Sequence, residues 1–180
     1  YRVTFRGPGG HSWGAFGLAN PAHALSRSVR HFDDAAADYT AEAPARTSYN
    51  VGVIGGGTSV NSIPFEAWME IDMRSESPAS LDRIDEILMA AIERGLDEEN
   101  AARIQGEPLT VDVERIGTRP SGELPLSTDL VQRAIAATHA IGIPPAPGRS
   151  STDSNIPISL GIPAVTIGGG GIGGNSHSLD

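Results

Sequence analysis

The stretch FEAWMEIDMRS, residues 65–75, alternates without a break. Phe65, Ala67, Met69, Ile71 and Met73 fall on one side, and Glu66, Trp68, Glu70, Asp72 and Arg74 on the other. That is the period-two pattern of a strand with one buried and one wet face. Trp68 stands on the wet side, which implies that this face is partly covered, for instance by a partner. Upstream, TSYNVGVIGGG (47–57) places Tyr49, Val51 and Val53 on one face and runs into a glycine turn. RVTFRG (2–7) alternates Val3 and Phe5, and LTVDVERI (109–116) keeps Leu109, Val111 and Val113 in phase.

Helices fill the gaps between these strands. Asn20 is a good N-cap and Pro21 fits the first helical position, where its missing N–H does no harm. Ala22, Leu25, Val29 and Phe32 then recur at helical spacing. Ser77-Pro78 repeats the same start, and Leu81, Ile84, Leu88, Ala91 and Ile92 form the inner stripe of a second, longer helix. The order is strand, helix, strand, strand, helix, strand. This is the split βαβ arrangement of a ferredoxin-like domain, expected over residues 1–118.

Around GTRPSGELP (117–125) the texture shifts to Gly, Pro and Ser, marking a boundary. Beyond it, Leu130, Ala134, Ile135, Thr138 and Ile141 outline a helix, and GIPAVTIGGG (161–170) has the look of a buried parallel strand. Residues 119–180 hold too few elements for a sheet of their own. They read as an incomplete α/β piece of a larger domain, so the class expected for the whole chain is α/β (α+β).

The formal charge of the 180 residues is −9, with 13 basic residues, all arginine, and no basic run, which argues against nucleic acid as a partner. No apolar segment is long enough to cross a bilayer, so no membrane role is expected. Cysteine is absent, which excludes thiolate metal sites and fits a reducing, cytoplasmic compartment. The opening YRVTFRGPGG has no signal-peptide layout and reads as the middle of a gene.

Four places carry candidate chemistry. His177 follows an apolar run and a glycine loop, where open α/β sheets place ligand-binding groups; it is either a metal or catalytic ligand or a plain exposed side chain. The glycines fit neither a phosphate loop nor a dinucleotide fingerprint, because no Gly-Lys-Ser/Thr and no helix follows. His11 sits in RGPGGHSWG, on a loop between the first strand and first helix. Asn61 reads as a turn former, and Arg74 as either a solvated strand-end charge or a bidentate carboxylate clamp.

Taken in order, GPGGHS, NPAHAL, SVNSIP…MEIDMRS, STDSN…LGIPAVTIGGGG and NSHSLD resemble the M20 family of zinc peptidases and amidohydrolases along nearly the whole chain. The resemblance implies that residues 1–118 are the lid, or dimerisation, domain and residues 119–180 the C-terminal part of the catalytic domain. It implies two zinc ions holding a bridging water, and a glutamate base acting on an amide of a small peptide or N-acyl amino acid. His177 is then a metal ligand, and Gly169 and Gly170 let backbone approach the substrate. His11 stabilises the oxyanion in a partner subunit's site. Asn61 and Arg74 grip the substrate, with Arg149 and Asp153 lining the same pocket. A homodimer through the lid domain follows.

The family's first metal-binding His-x-Asp, bridging Asp and Glu-Glu pair precede the lid, and no segment is assigned to them. Glu98-Glu99 falls late in the long helix, outside that context. The chain is therefore expected to be truncated at both ends and, alone, inactive and without stoichiometric zinc. A reading from another class stays open: a stand-alone ferredoxin-like dimerisation or ligand-binding module. The stretch SYNVGVIGGGTSVNSIP (48–64) is most similar to tripeptidase-type members.

Overall fold

The computed structural model describes residues 1–169 and 177–179 and divides into two units, Tyr1–Thr118 and Arg119–Asp180. The first holds strands β1 (Arg2–Arg6), β2 (Gly10–His11), β3 (Thr47–Gly56), β4 (Ser62–Ile63), β5 (Glu66–Ser75) and β6 (Thr110–Glu114), with helices α1 (Pro21–Glu42) and α2 (Pro78–Ala102). Four strands form one sheet in the order β3-β5-β1-β6, and β2 and β4 form a separate ribbon. Every neighbouring pair is antiparallel, with Val3 opposite Met69 and Val113, and Phe5 opposite Ala67 and Val111. This is the βαββαβ sandwich read from the alternation of residues 65–75.

One face of the sheet is sealed by both helices. Val3, Phe5 and Met69 are fully buried against Phe32 of α1 and Ile84 and Leu88 of α2. Each such side chain is worth about 1.5–3 kcal/mol when taken from water. Both helices start as the sequence dictates. Asn20 Oδ1 accepts the Ala22 N–H at 2.9 Å, and Ser77 Oγ accepts the Ser80 N–H at 3.3 Å. The inner stripe of α1 is centred on Ala24, Leu25, Ser28 and Phe32, with Ala22 and Val29 at its margins. Ser28 lies inside because α2 comes very close there: a Cβ at Gly95 would lie 2.1 Å from Ser28 Oγ.

The other face is polar and self-covered. Arg2 pairs with Glu70 at 2.9 Å and Arg6 with Glu66 at 2.6 Å. The Arg2 guanidinium also lies 3.9 Å from the Trp68 ring centroid, and Gly55 opposite leaves room for the indole. Part of the cover over Trp68 thus comes from Arg2 of the same chain.

Two details differ from the alternation. The strand β5 starts at Glu66, leaving Phe65 exposed. In β3 a bulge between Val51 and Val53 shifts the register, so Val53 pairs with Glu70 and Ile54 takes the core-side register opposite Met69. One extra residue inverts the facing of everything after it. Val53 therefore does not share a face with Tyr49 and Val51.

The second unit holds α3 (Asp129–Ala140) and the short α4 (Asn155–Ser159). Neither helix buries a residue. The run 161–169 forms no strand, contrary to the expectation from its apolar character. A strand exists only through a ladder with a neighbour, and among the described residues of this unit there is none.

Candidate functional site

The first unit gathers polar side chains on the ribbon between β1 and α1. Gly7 N–H donates to the Phe65 carbonyl at 2.9 Å. Gly9 follows at φ 66°, where a side chain would run into the Phe65 ring at 2.6 Å. His11 then pairs with Ser62, and the Ser12 N–H donates to the Asn61 carbonyl at 2.9 Å. The fold thereby brings His11 and Asn61, remote in sequence, onto one exposed ribbon.

Their side chains are engaged locally. His11 Nδ1 accepts the Trp13 N–H at 3.2 Å and, more weakly, the Gly14 N–H at 3.5 Å. The Ala15 N–H donates to the His11 carbonyl at 2.8 Å and closes the turn. Asn61 Oδ1 accepts the Ser59 hydroxyl at 2.8 Å, and Ser59 and Ser62 hydroxyls are 2.8 Å apart. Sequence reasoning missed Trp13 and Ser59 as supports; the only signal was the small, turn-forming residues around each site residue.

Arg74 is not brought to this ribbon. It lies eight residues along β5 from Glu66, about 26 Å at 3.3 Å per residue. Its Nε donates to Asp72 Oδ2 at 2.6 Å, and both side chains are exposed.

The glutamate pair of α2 is structural. Glu99 is buried; its Oε1 accepts the Asn20 N–H at 2.9 Å and its Oε2 the Arg27 Nε–H at 3.2 Å. Glu98 meets His31 Nε2 at 3.0 Å and Arg94 Nε at 3.0 Å. Those contacts, His31 first, hold the Glu98 carboxyl below the usual glutamate range. His31-Phe32-Asp33 has His-x-Asp spacing, but it does not form a metal pair. Phe32 faces the core, His31 faces Glu98, and Asp33 Oδ1 accepts the Tyr49 hydroxyl at 2.8 Å.

In the second unit, Arg149 Nη2 lies 2.6 Å from Glu123 Oε1, and Asp153 is 3.6 Å from Arg119. The turn carrying them is built by Asn155, whose Oδ1 accepts the Thr152 N–H at 3.0 Å and whose Nδ2 donates to the Pro120 carbonyl at 3.0 Å. A Cβ at Gly169 would meet nothing within 4 Å. Gly170 lies outside the described residues. His177 is exposed, with a left-handed backbone at φ 69° that His adopts more readily than most residues.

Catalytic zinc needs about three protein ligands. Among the described residues no three His, Asp or Glu side chains are grouped to hold a metal ion. His177 alone does not fit a zinc centre. Also among the described residues, no helix is long and apolar enough to cross a membrane.

The first unit is thus a βαββαβ sandwich with an exposed histidine–asparagine ribbon. The chain belongs to the M20 peptidase and amidohydrolase family: residues 1–100 match its peptidase dimerisation domain. Among solved structures it is similar to a tripeptidase from Staphylococcus aureus, with TM-score 0.67 and 17% identity over 90% of this chain and 40% of that one. It is also similar to aminobenzoyl-glutamate utilization protein from Klebsiella pneumoniae, with TM-score 0.64 and 18% identity over 86% and 38%. Aminopeptidase PepT from Bacillus cereus gives TM-score 0.60 and 19% identity over 89% and 39%. The chain thus spans about two-fifths of the length of these structures. No curated protein matches it in sequence.

Proposed function

We propose that this chain supplies the lid and part of the catalytic domain of a two-zinc hydrolase that cleaves an amide bond in a small peptide or N-acyl amino acid. Residues 1–118 are the lid and residues 119–180 belong to the catalytic domain. His177 contributes one metal ligand, and the remaining ligands and the glutamate base lie in polypeptide outside these residues. Gly169 and Gly170 pass close to the substrate, beside Arg149 and Asp153. The enzyme works in the cytoplasm, in keeping with a chain free of cysteine.

The observation that carries this reading is the separation within the matched domain. His11 and Asn61 share one ribbon, while Arg74 lies about 26 Å along β5. A small substrate spans far less than that. Two lids in a homodimer meet the demand: one copy offers His11 and Asn61 to a catalytic site, and the other offers Arg74. His11 then hydrogen-bonds the oxyanion that forms on the scissile carbonyl, and Asn61 and Arg74 hold the flanking carboxylate or acyl group.

The test compares these 180 residues with the protein carrying its flanking sequence, against dipeptides, tripeptides and N-acyl amino acids with zinc. Turnover is expected only from the longer protein. Tight binding of two zinc ions by the 180 residues in calorimetry would overturn the assignment of the missing ligands. A second reading, a stand-alone binding module, draws on the first unit's complete core. It predicts that the longer protein hydrolyses none of these compounds.

A further inference from the structure

We infer that the β2–β4 ribbon holds His11 as its Nε2–H tautomer through the Trp13 backbone amide, so that the second ring nitrogen presents an N–H beside the amide of Asn61. A neutral imidazole has one N–H and one acceptor nitrogen, and the partner of one nitrogen decides the state of the other. A backbone N–H only donates. The Trp13 N–H at 3.2 Å, backed by Gly14 at 3.5 Å, therefore requires a bare Nδ1 and places the hydrogen on Nε2.

Asn61 obeys the same logic. The Ser59 hydroxyl donates to Oδ1 at 2.8 Å, which orients the amide and takes one of the two lone pairs of that oxygen. His11 thus presents an N–H, and Asn61 its NH2 group beside the second lone pair of Oδ1. The turn is stiffened for this task by the bond from the Ala15 N–H to the His11 carbonyl and by the bond joining Ser12 to Asn61.

Three consequences follow. The ligand atom met by His11 Nε2 is an acceptor: a carbonyl, carboxylate or oxyanion oxygen. An ammonium group finds no acceptor at that nitrogen, and a metal ion would bind there only after its hydrogen moved. Trp13 is a positioning residue through its main chain, not through its indole. That His11 donates to a reacting oxygen rests on the proposed hydrolase; the tautomer does not.

Long-range nitrogen–proton NMR of the nitrogen-labelled 180-residue chain reads the tautomer directly, with the His11 signals assigned by their loss in His11→Gln. The expected spectrum shows Nε2 protonated and Nδ1 bare. Trp13→Ala keeps the backbone donor and should leave that pattern unchanged. Trp13→Pro removes the donor and should move His11 toward a tautomer mixture while the sheet amides stay dispersed. A wild-type spectrum with the hydrogen on Nδ1, or with the averaged signals of a free imidazole, overturns the inference whatever the variants do.

In the longer protein, Gln at position 11 offers an N–H near the Nε2 position and Asn offers one near Nδ1. Gln should therefore retain at least about tenfold more kcat than Asn. Equal losses alongside the expected spectrum would sustain the tautomer and refute the oxyanion role.

Discussion

At the scale of single residues, Glu99 shows how a suggestive sequence hides a structural task. Beside Glu98 it has the look of a displaced catalytic pair, yet it is 5% exposed and clasps the backbone amide of Asn20, the N-cap of α1, together with Arg27. Its partners lie more than seventy positions upstream, so no local pattern announces them. Replacing it by Ala leaves the partly buried Asn20 amide and Arg27 without their acceptor, and Glu99→Ala should cost about 1–3 kcal/mol in urea unfolding.

Glu98 makes a pH-dependent contribution. Its folded pKa is depressed by His31 and then Arg94. The stabilisation is present above the ordinary glutamate value of about 4.3 and is lost as pH falls through the lowered folded value. The stability gap between wild type and Glu98→Gln should close over that acidic window, as followed by urea midpoints. The same limit governs the candidate site: His11 and Asn61 stood out in the sequence by their loops, but the ribbon joining them is a long-range fact.

At the scale of elements, caps and alternation were legible because they are local. Asn20-Pro21 and Ser77-Pro78 start α1 and α2 as read, and β5 follows its period of two. Gly95 was not legible, since its need arises from the opposite helix. Gly95→Ala gains helix propensity but forces its Cβ against the Ser28 backbone, 2.6 Å from the nitrogen. A net loss of about 2 kcal/mol is expected by thermal or urea denaturation.

The bulge of β3 was equally invisible, because a glycine in a strand does not say whether it pairs. Its result is an edge strand of ten residues with Val53 and Ile54 exposed. Such an edge invites another strand. If a second copy pairs there in the proposed homodimer, Ile54→Lys should shift sedimentation from dimer toward monomer. An unchanged mass would place the contact elsewhere.

At the scale of the whole molecule, the two units differ in how far they stand alone. The first closes its core with its own residues. Residues 1–118 should therefore melt cooperatively at the same temperature as the first unit within the full chain, as followed by circular dichroism. The second was readable only as to α3. The apolar run at 161–169 carries the composition of a strand, but composition cannot supply the neighbour on which a ladder depends.

The stack of Arg2, Trp68 and Gly55 has a practical outcome. The chain holds two tryptophans, one wedged beneath a guanidinium and one, Trp13, 88% exposed beside His11. They act as separate optical probes: emission from the indole at 68 tracks integrity of the sheet, while emission from that at 13 tracks occupancy of the ribbon. Denaturant should shift the first and barely touch the second, and an acceptor-bearing compound should do the reverse.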